Sequence, residues 1–358
     1  MARKPMNPPH GRGATFNPEG RFESVARQRS DDGWGDPAAD PRQITTTVTA
    51  EIARSIISRN DSPDIPFSQS INPYRGCEHG CVYCYARPTH AYLNLSPGLD
   101  FEARLFAKVN AAELLRTELA RPGYRCQPIA LGANTDPYQP AEREWRITRQ
   151  VLEVLAECEH PVTITTKSAL VERDLDLLAP MARKQLARVY LSVATLDHEV
   201  ARRLEPRASA PRRRIEAMQR LSEAGVPVGV VAAPMIPFLT DPQLESVLEA
   251  AREAGAQDAG YVLLRLPHEV RNLFAAWLQH HYPLKAAHVM SLVRQMRGGA
   301  DNDPAFGSRM TGQGVLAELI ARRFGVACGR VGLNRERSPK LDCSRFRPPA
   351  PGGQLRLL

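Results

Sequence analysis

The stretch Ile71-Asn72-Pro73-Tyr74-Arg75-Gly76-Cys77-Glu78-His79-Gly80-Cys81-Val82-Tyr83-Cys84 holds three of the chain's seven cysteines, separated by three residues and then two. A thiolate is a soft ligand suited to iron–sulfur clusters and zinc. Three so close together can grip one metal centre from a single loop, and Gly76 and Gly80 let the backbone wrap tightly. A closed structural zinc site or an ordinary four-cysteine cluster needs one ligand more. Something else must take the last position, which marks a reactive centre. A zinc loop is the other reading of the same residues.

Outward from this loop, the sequence alternates short apolar runs with amphipathic segments. Residues 45–48 are strand-like, and residues 68–72 lead into the cysteines as a first core strand. Further strands are predicted at 128–133, 162–166, 188–192, 228–232 and 258–264. Between them run helical stripes: Ile147, Val151, Val154, Leu155 and Cys158; residues 170–183; Ile215, Met218, Leu221 and Ala224, ended by Gly225; and Leu244, Val247, Leu248 and Ala251. Strands that recur at the length of a βαβ unit argue a parallel sheet covered by helices. After residue 266 the pattern turns helical, over 270–282, 286–296 and 311–324, the last with Val315, Leu316, Leu319, Ile320 and Phe324 as its apolar face. Residues 1–43 are rich in Pro, Gly, Arg and Asp, and form either a loose tail or an arm packed over the core through Phe16, Phe22 and Trp34. The chain divides into this arm (1–43), a core (44–266) and a helical, basic extension (267–358).

The 358 residues are 43% hydrophobic without an apolar run of membrane-spanning length. No charged-then-apolar leader is visible, so a cytoplasmic location is expected, with no membrane partner. An odd number of cysteines, three of them clustered, argues for a reducing compartment over a disulfide framework. Cys126, Cys158, Cys328 and Cys343 read as scattered, buried or partly buried thiols, with Cys328 and Cys343 meeting each other or a second metal as the alternative. The net charge of +8 favours a polyanion such as nucleic acid. Arginines gather at Arg212-Arg213-Arg214 and, toward the end, at Arg322, Arg323, Arg330, Arg335, Arg337, Lys340, Arg345 and Arg347. Such runs are most often a solvated face.

The Cys-x3-Cys-x2-Cys spacing of Cys77, Cys81 and Cys84, with Tyr83 before the last cysteine, resembles the signature of the radical S-adenosylmethionine (SAM) enzymes. The resemblance implies that the three cysteines hold a [4Fe–4S] cluster whose fourth iron binds SAM. It also implies that an electron, from a reductant such as flavodoxin or ferredoxin, cleaves SAM to a 5′-deoxyadenosyl radical. The fold it implies is an incomplete (β/α)6 barrel, which the six core strands match. Such folds carry their chemistry at the carboxyl ends of the strands.

Those ends supply candidate partners for SAM. After the second core strand stand Thr135 and Asp136, a hydroxyl and a carboxylate suited to an ammonium. Lys167 follows the third strand, where it can pair with a carboxylate. Ser192 ends the fourth, and Ala233 after the fifth lets a flat base approach the backbone. Each polar residue is also suited to cap a helix. The segments Cys81-Val82-Tyr83-Cys84-Tyr85, Thr135-Asp136, Thr166-Lys167, Ser192, Glu205-Pro206 and Ala233-Pro234 resemble the branch of spore photoproduct lyase and its DNA repair photolyase-like relatives. Tyr83 and Tyr85 match tyrosines that, in the lyase, help return the radical to SAM, and Lys167 and Ser192 fall where that family contacts SAM. Gly11-Arg12-Gly13-Ala14 and the C-terminal extension look instead like an uncharacterised bacterial sister family.

One departure limits the analogy. Where the lyase carries a hydrogen-donating cysteine, this chain has Ala133, and Cys126 should lie at the far end of that strand. SAM binding and radical generation carry over; the lyase's substrate and thiol step do not. Nucleic acid is the favoured substrate class, with a protein or small molecule as the alternative and a non-catalytic metal- or cluster-binding nucleic-acid adaptor as a third reading. His79 is expected to be an exposed imidazole, and His280 and His281 to be solvated or capping.

Overall fold

The computed structural model describes residues 9–22, 43–335 and 339–349, so Trp34 and Arg337 lie outside the described residues. The predicted strands are all present. They belong to ten: β1 (Thr47–Glu51), β2 (Ile57–Arg59), β3 (Gln69–Ile71), β4 (Tyr74–Arg75), β5 (Arg104–Lys108), β6 (Ile129–Leu131), β7 (Val162–Thr166), β8 (Ala187–Ser192), β9 (Val228–Met235) and β10 (Asp258–Leu263). The large sheet has the order β10-β9-β8-β7-β6-β3-β2. Neighbours from β3 to β10 pair in parallel, and β2 closes the edge antiparallel to β3. Register places Ile71 beside Leu131, Leu131 beside Ile164, Thr166 beside Leu191 and Ser192 beside Val231. Six carboxyl ends therefore meet at one mouth, with the cysteine loop rising from the first. Among the described residues β10 and β2 do not pair, so the barrel is open. The Asp64–Arg309 ion pair crosses this seam, with Nε 2.7 Å from the carboxylate.

Helices cover the outside: α1 (Ala111–Leu119), α2 (Ile147–Glu157), α3 (Leu175–Arg183), α4 (Pro211–Glu223) and α5 (Leu244–Glu253). Their stripes bury against the strands, as with Val151, Leu155, Met218, Leu221, Val247 and Leu248. The segment predicted as one helix over 170–183 is split, a 3₁₀ turn (Ala169–Asp174) preceding α3, because Ser168 caps at the Leu170 N–H and Asp174 is held by Tyr138 and Arg149. A small second sheet, in the order β1-β5-β4, flanks the cysteine loop.

The extension supplies α6 (Val270–His281), α7 (Pro283–Gln295) and α8 (Val315–Val331). α6 and α7 share one apolar cluster with Ala14, Cys81, Val82 and Tyr83, so they roof the cysteine loop. α8 begins later than predicted, after Gly312 and Gly314 at φ 73° and 84°, and it continues through Gly325 and Gly329. Ala327 and Cys328 are buried and secure its last turns, while Val315 and Leu319 of the expected apolar face point outward. Residues 339–349 cross the amino ends of the strands: Asp342 N–H donates to Gln185 and Arg347 N–H to Cys158, both at 2.9 Å. Cys343 lies beside Cys126 on this floor, the far end from the cysteine loop, and not beside Cys328. No helix among the described residues is long and apolar enough to cross a membrane.

Candidate metal centre and cofactor site

The cysteine loop is shaped by its glycines and fastened by two buried ion pairs. Gly76 and Gly80 take φ of 74° and 69°, and a Cβ on Gly76 would lie 2.9 Å from the Phe101 carbonyl, which also accepts the Cys77 N–H at 2.9 Å. Arg87, with no exposed surface, donates to the carbonyls of Cys81 (2.9 Å) and Gly80 (3.2 Å) and pairs with the equally buried Glu102. Glu102 accepts two further bonds, from the N–H groups of Gly13 (2.9 Å) and Ala14 (2.8 Å). Residues 12–14 are thus part of the loop's frame. The approach is so close that a Cβ on Gly13 would fall 1.8 Å from the Gly80 carbonyl oxygen. On the other side, Val82 N–H donates to Leu204 O and Arg207 N–H to His79 O, both at 3.2 Å. Tyr83 donates its hydroxyl to Glu205, whose second oxygen takes Arg214.

Cys77 and Cys81 are buried and Cys84 is half-buried. Burial pushes all three thiols up; at Cys77, Asp136 and the other two cysteines add to it, and at Cys81, Glu205 does. A group of mutually repelling buried thiols gains its thiolate form only with a cation among them. Among the described residues no three His, Cys, Asp or Glu side chains close around a single metal ion. Three soft thiolates offered by one loop are the donor set of a three-cysteine cluster, which takes one thiolate at each of three irons.

The strand-end residues sort into braces and open groups. Asp136 Oδ1 accepts from Thr166 Oγ1 (2.7 Å) and Tyr138 N–H (2.9 Å), and its Oδ2 from Lys167 N–H (2.7 Å). Burial raises this carboxyl, but the His79 ring, Thr166 and the Lys167 N–H outweigh it and hold the pKa at about 2. Thr135 is 1% exposed and donates its hydroxyl to Tyr74 O at 2.9 Å. Ser192 donates to Ala233 O at 3.2 Å, which links two adjacent strand ends. Lys167 differs from these. Its ammonium has no hydrogen bond or ion pair among the described residues, and although burial opposes its charge, Cys81 and Glu205 hold its pKa above the ordinary value. Tyr85, 45% exposed, donates its hydroxyl to Ala133 O, and the guanidinium of Arg265 lies over its ring at 5.4 Å.

Two expectations need correction. His79 is 1% exposed, because its ring packs against Asp136, with Nδ1 3.3 Å from Oδ2. Arg214, expected on a solvated face with Arg212 and Arg213, is 2% exposed and donates to the carbonyls of Ser209 and Ser192 besides pairing with Glu205. The sequence carried a signal for it: Arg214, Met218 and Leu221 share one helical phase, so this arginine belongs to the buried stripe. Arg87, Glu102 and Arg265 went unremarked, and no spacing in the sequence joins them.

An open parallel barrel with three loop cysteines at the mouth defines a class of cluster-dependent α/β proteins. Residues 71–251 match the family model described as the Radical SAM superfamily. The chain belongs to that superfamily, which implies a [4Fe–4S] cluster and SAM. It is 38% identical over 233 residues to an uncharacterized protein of Mycobacterium tuberculosis, covering 64% of this chain and 68% of the relative. An uncharacterized protein of Methanocaldococcus jannaschii is 28% identical over 171 residues, 48% of this chain and 61% of its own. Among solved structures, a tyrosine-to-phenylalanine variant of spore photoproduct lyase aligns over 79% of each chain with a TM-score of 0.55 and 15% identity, a likeness of fold.

Proposed function

We propose that this protein is a cytoplasmic radical SAM enzyme that takes a hydrogen atom from a nucleic-acid substrate. The observation that carries the reading is the pairing, at one mouth, of three loop thiols, two buried and one half-buried, with an ammonium of Lys167 that has no partner among the described residues. Cys77, Cys81 and Cys84 would hold the [4Fe–4S] cluster. The cluster and SAM together supply a 5′-deoxyadenosyl radical when a reductant such as a ferredoxin or flavodoxin delivers an electron.

The chain's own residues hold and shield that chemistry. Lys167 would take the SAM carboxylate, since an ammonium held above its ordinary pKa stays charged at neutral pH. Asp136 and Thr135 would act as braces: Asp136 fixes the backbone at Lys167, and Thr135 ties that strand end to Tyr74. Ser192 and Ala233, joined by their hydrogen bond, would form the wall that receives the adenine and ribose. Of the two tyrosines, Tyr85 is the one exposed at the mouth, and we assign it the relay that returns the radical to SAM; Tyr83, bonded to Glu205, would support the loop. The net charge of +8 supports a polyanionic substrate.

The test is anaerobic turnover with a chemical reductant, reading 5′-deoxyadenosine. We expect SAM cleavage that rises on adding DNA or RNA and does not rise with peptides or metabolite extract. Stimulation by peptide or metabolite alone would overturn the substrate class, and no cleavage under any condition would overturn the enzyme reading.

A further inference from the structure

We propose that Arg265 anchors a phosphodiester group of the substrate strand at the barrel mouth, an inference that rests on the nucleic-acid reading above. Arg265 lies two residues beyond β10, on the rim that carries Lys167 and Ala133. Its guanidinium stands 5.4 Å from the centre of the Tyr85 ring, and Tyr85 directly follows the cluster ligand Cys84. A substrate group bound there lies one side chain away from the cysteine loop.

The guanidinium lacks the acceptors such a group needs. It has five N–H donors in a planar fork, yet Nε is buried with no hydrogen-bond partner and Nη1 reaches only the Met310 sulfur at 3.7 Å, a weak acceptor. No carboxylate pairs with it among the described residues. The other arginines of this rim find oxygen acceptors within the chain, although the Nε of Arg297 is also buried without a partner. Arg309 forks onto Asp64, and Arg297 donates to the carbonyls of Leu263, Leu264, Ser308 and Arg309. Arg214 has Glu205. Of the acids at this edge, Asp64 is taken by Arg309, and Asp303 accepts from Ser308 and the Ala305 N–H.

Arg265 is therefore a positive charge beside two others, mostly buried, braced against an aromatic ring and short of oxygen. Burial and the neighbouring Arg309 make its charge costly to hold, so an incoming anion is favoured. A planar fork matches two oxygens of one phosphate. Its position over the Tyr85 ring restrains the direction in which that fork faces.

The experiment measures binding of a fluorescein-labelled single-stranded DNA 12-mer to the anaerobically reconstituted protein across a salt series. Each phosphate contact adds about 0.7 to the slope of log affinity against log salt for a single strand. Arg265→Gln should lower the slope by about one such contact and weaken binding about tenfold at low salt. Arg265→Lys should keep the slope while recovering only part of the affinity. Arg330→Gln removes the same charge from the outer surface, where Arg330 pairs with Glu249, and should leave the slope unchanged. Thermal melts of each variant verify the fold. Equal slopes for wild type and Arg265→Gln, or an equal fall with Arg330→Gln, would overturn the anchor and leave the nucleic-acid reading standing. Wild-type protein that cleaves SAM but binds no strand would overturn both.

Discussion

Lys167 sets an ammonium beside Cys81 without an ion pair among the described residues, while Asp136 holds its backbone N–H at 2.7 Å. Losing a charged hydrogen bond to a carboxylate costs about 1.5–3 kcal/mol. Lys167→Met should therefore weaken SAM binding at least about tenfold, measured by equilibrium dialysis of the reconstituted protein, with iron content unchanged. Unchanged SAM affinity would remove the role. Tyr85→Phe deletes the hydroxyl bonded to Ala133 O and keeps the ring under Arg265. Cluster assembly and SAM binding should survive and product formation fall; undiminished turnover would show that the hydroxyl relays nothing. Residues of this kind were partly legible in the sequence. A lysine at the end of the apolar run Val162-Thr163-Ile164-Thr165-Thr166 has no reason to be there unless it meets a charge. Arg265 was not legible, because what distinguishes it is the absence of a partner, and partners are set by tertiary packing.

Among the elements, the arm has the least visible role in sequence and one of the closest fits in structure. Residues 11–14 have no apolar periodicity, yet Gly13 lies on Gly80 and its N–H bonds Glu102. A methyl group there overlaps a backbone oxygen at 1.8 Å. Forced overpacking typically costs about 1–3 kcal/mol, and here it acts on the cysteine loop. Gly13→Ala should lower the iron retained per chain after gel filtration and speed tryptic cleavage at Arg12 and Arg21. Full iron retention and unchanged protection would mean that the arm only rests on the loop. The strands and α2, α4 and α5 followed directly from period and β-branched composition. Helix α8 did not, since Gly325 and Gly329 break a propensity pattern but not a helix that Ala327 and Cys328 anchor between them.

Across the whole molecule, the two ends of the barrel do different work. The mouth holds the titratable and unpartnered groups, and the floor is closed by residues 339–349, with Phe346 against Tyr124 and His160 at ring distances of 5.4 and 5.2 Å. His160 and His90 have no exposed surface, and burial lowers each to about 4 from an ordinary 6.5. The unfolded chain takes up these protons near 6.5 and the folded chain does not until about 4. Stability is therefore complete above 6.5 and falls as pH drops toward 4, by on the order of 3 kcal/mol for each ring. His160→Gln should flatten that decline in melts between pH 7 and 5, whereas parallel curves would show that the ring is protonated in the folded state. The fold was legible as a whole because six parallel strands leave a periodic record. The open seam followed from a run of only six strands, but the floor and the roof did not, since each joins segments far apart in the chain. The central claim, that three thiolates leave one iron corner free for SAM, is tested most directly by anaerobic reconstitution followed by iron analysis and electron paramagnetic resonance of the reduced protein. We predict about four irons per chain and a cluster signal that changes when SAM is added, both lost in Cys81→Ala. A single zinc per chain, or a cluster signal indifferent to SAM, would contradict it.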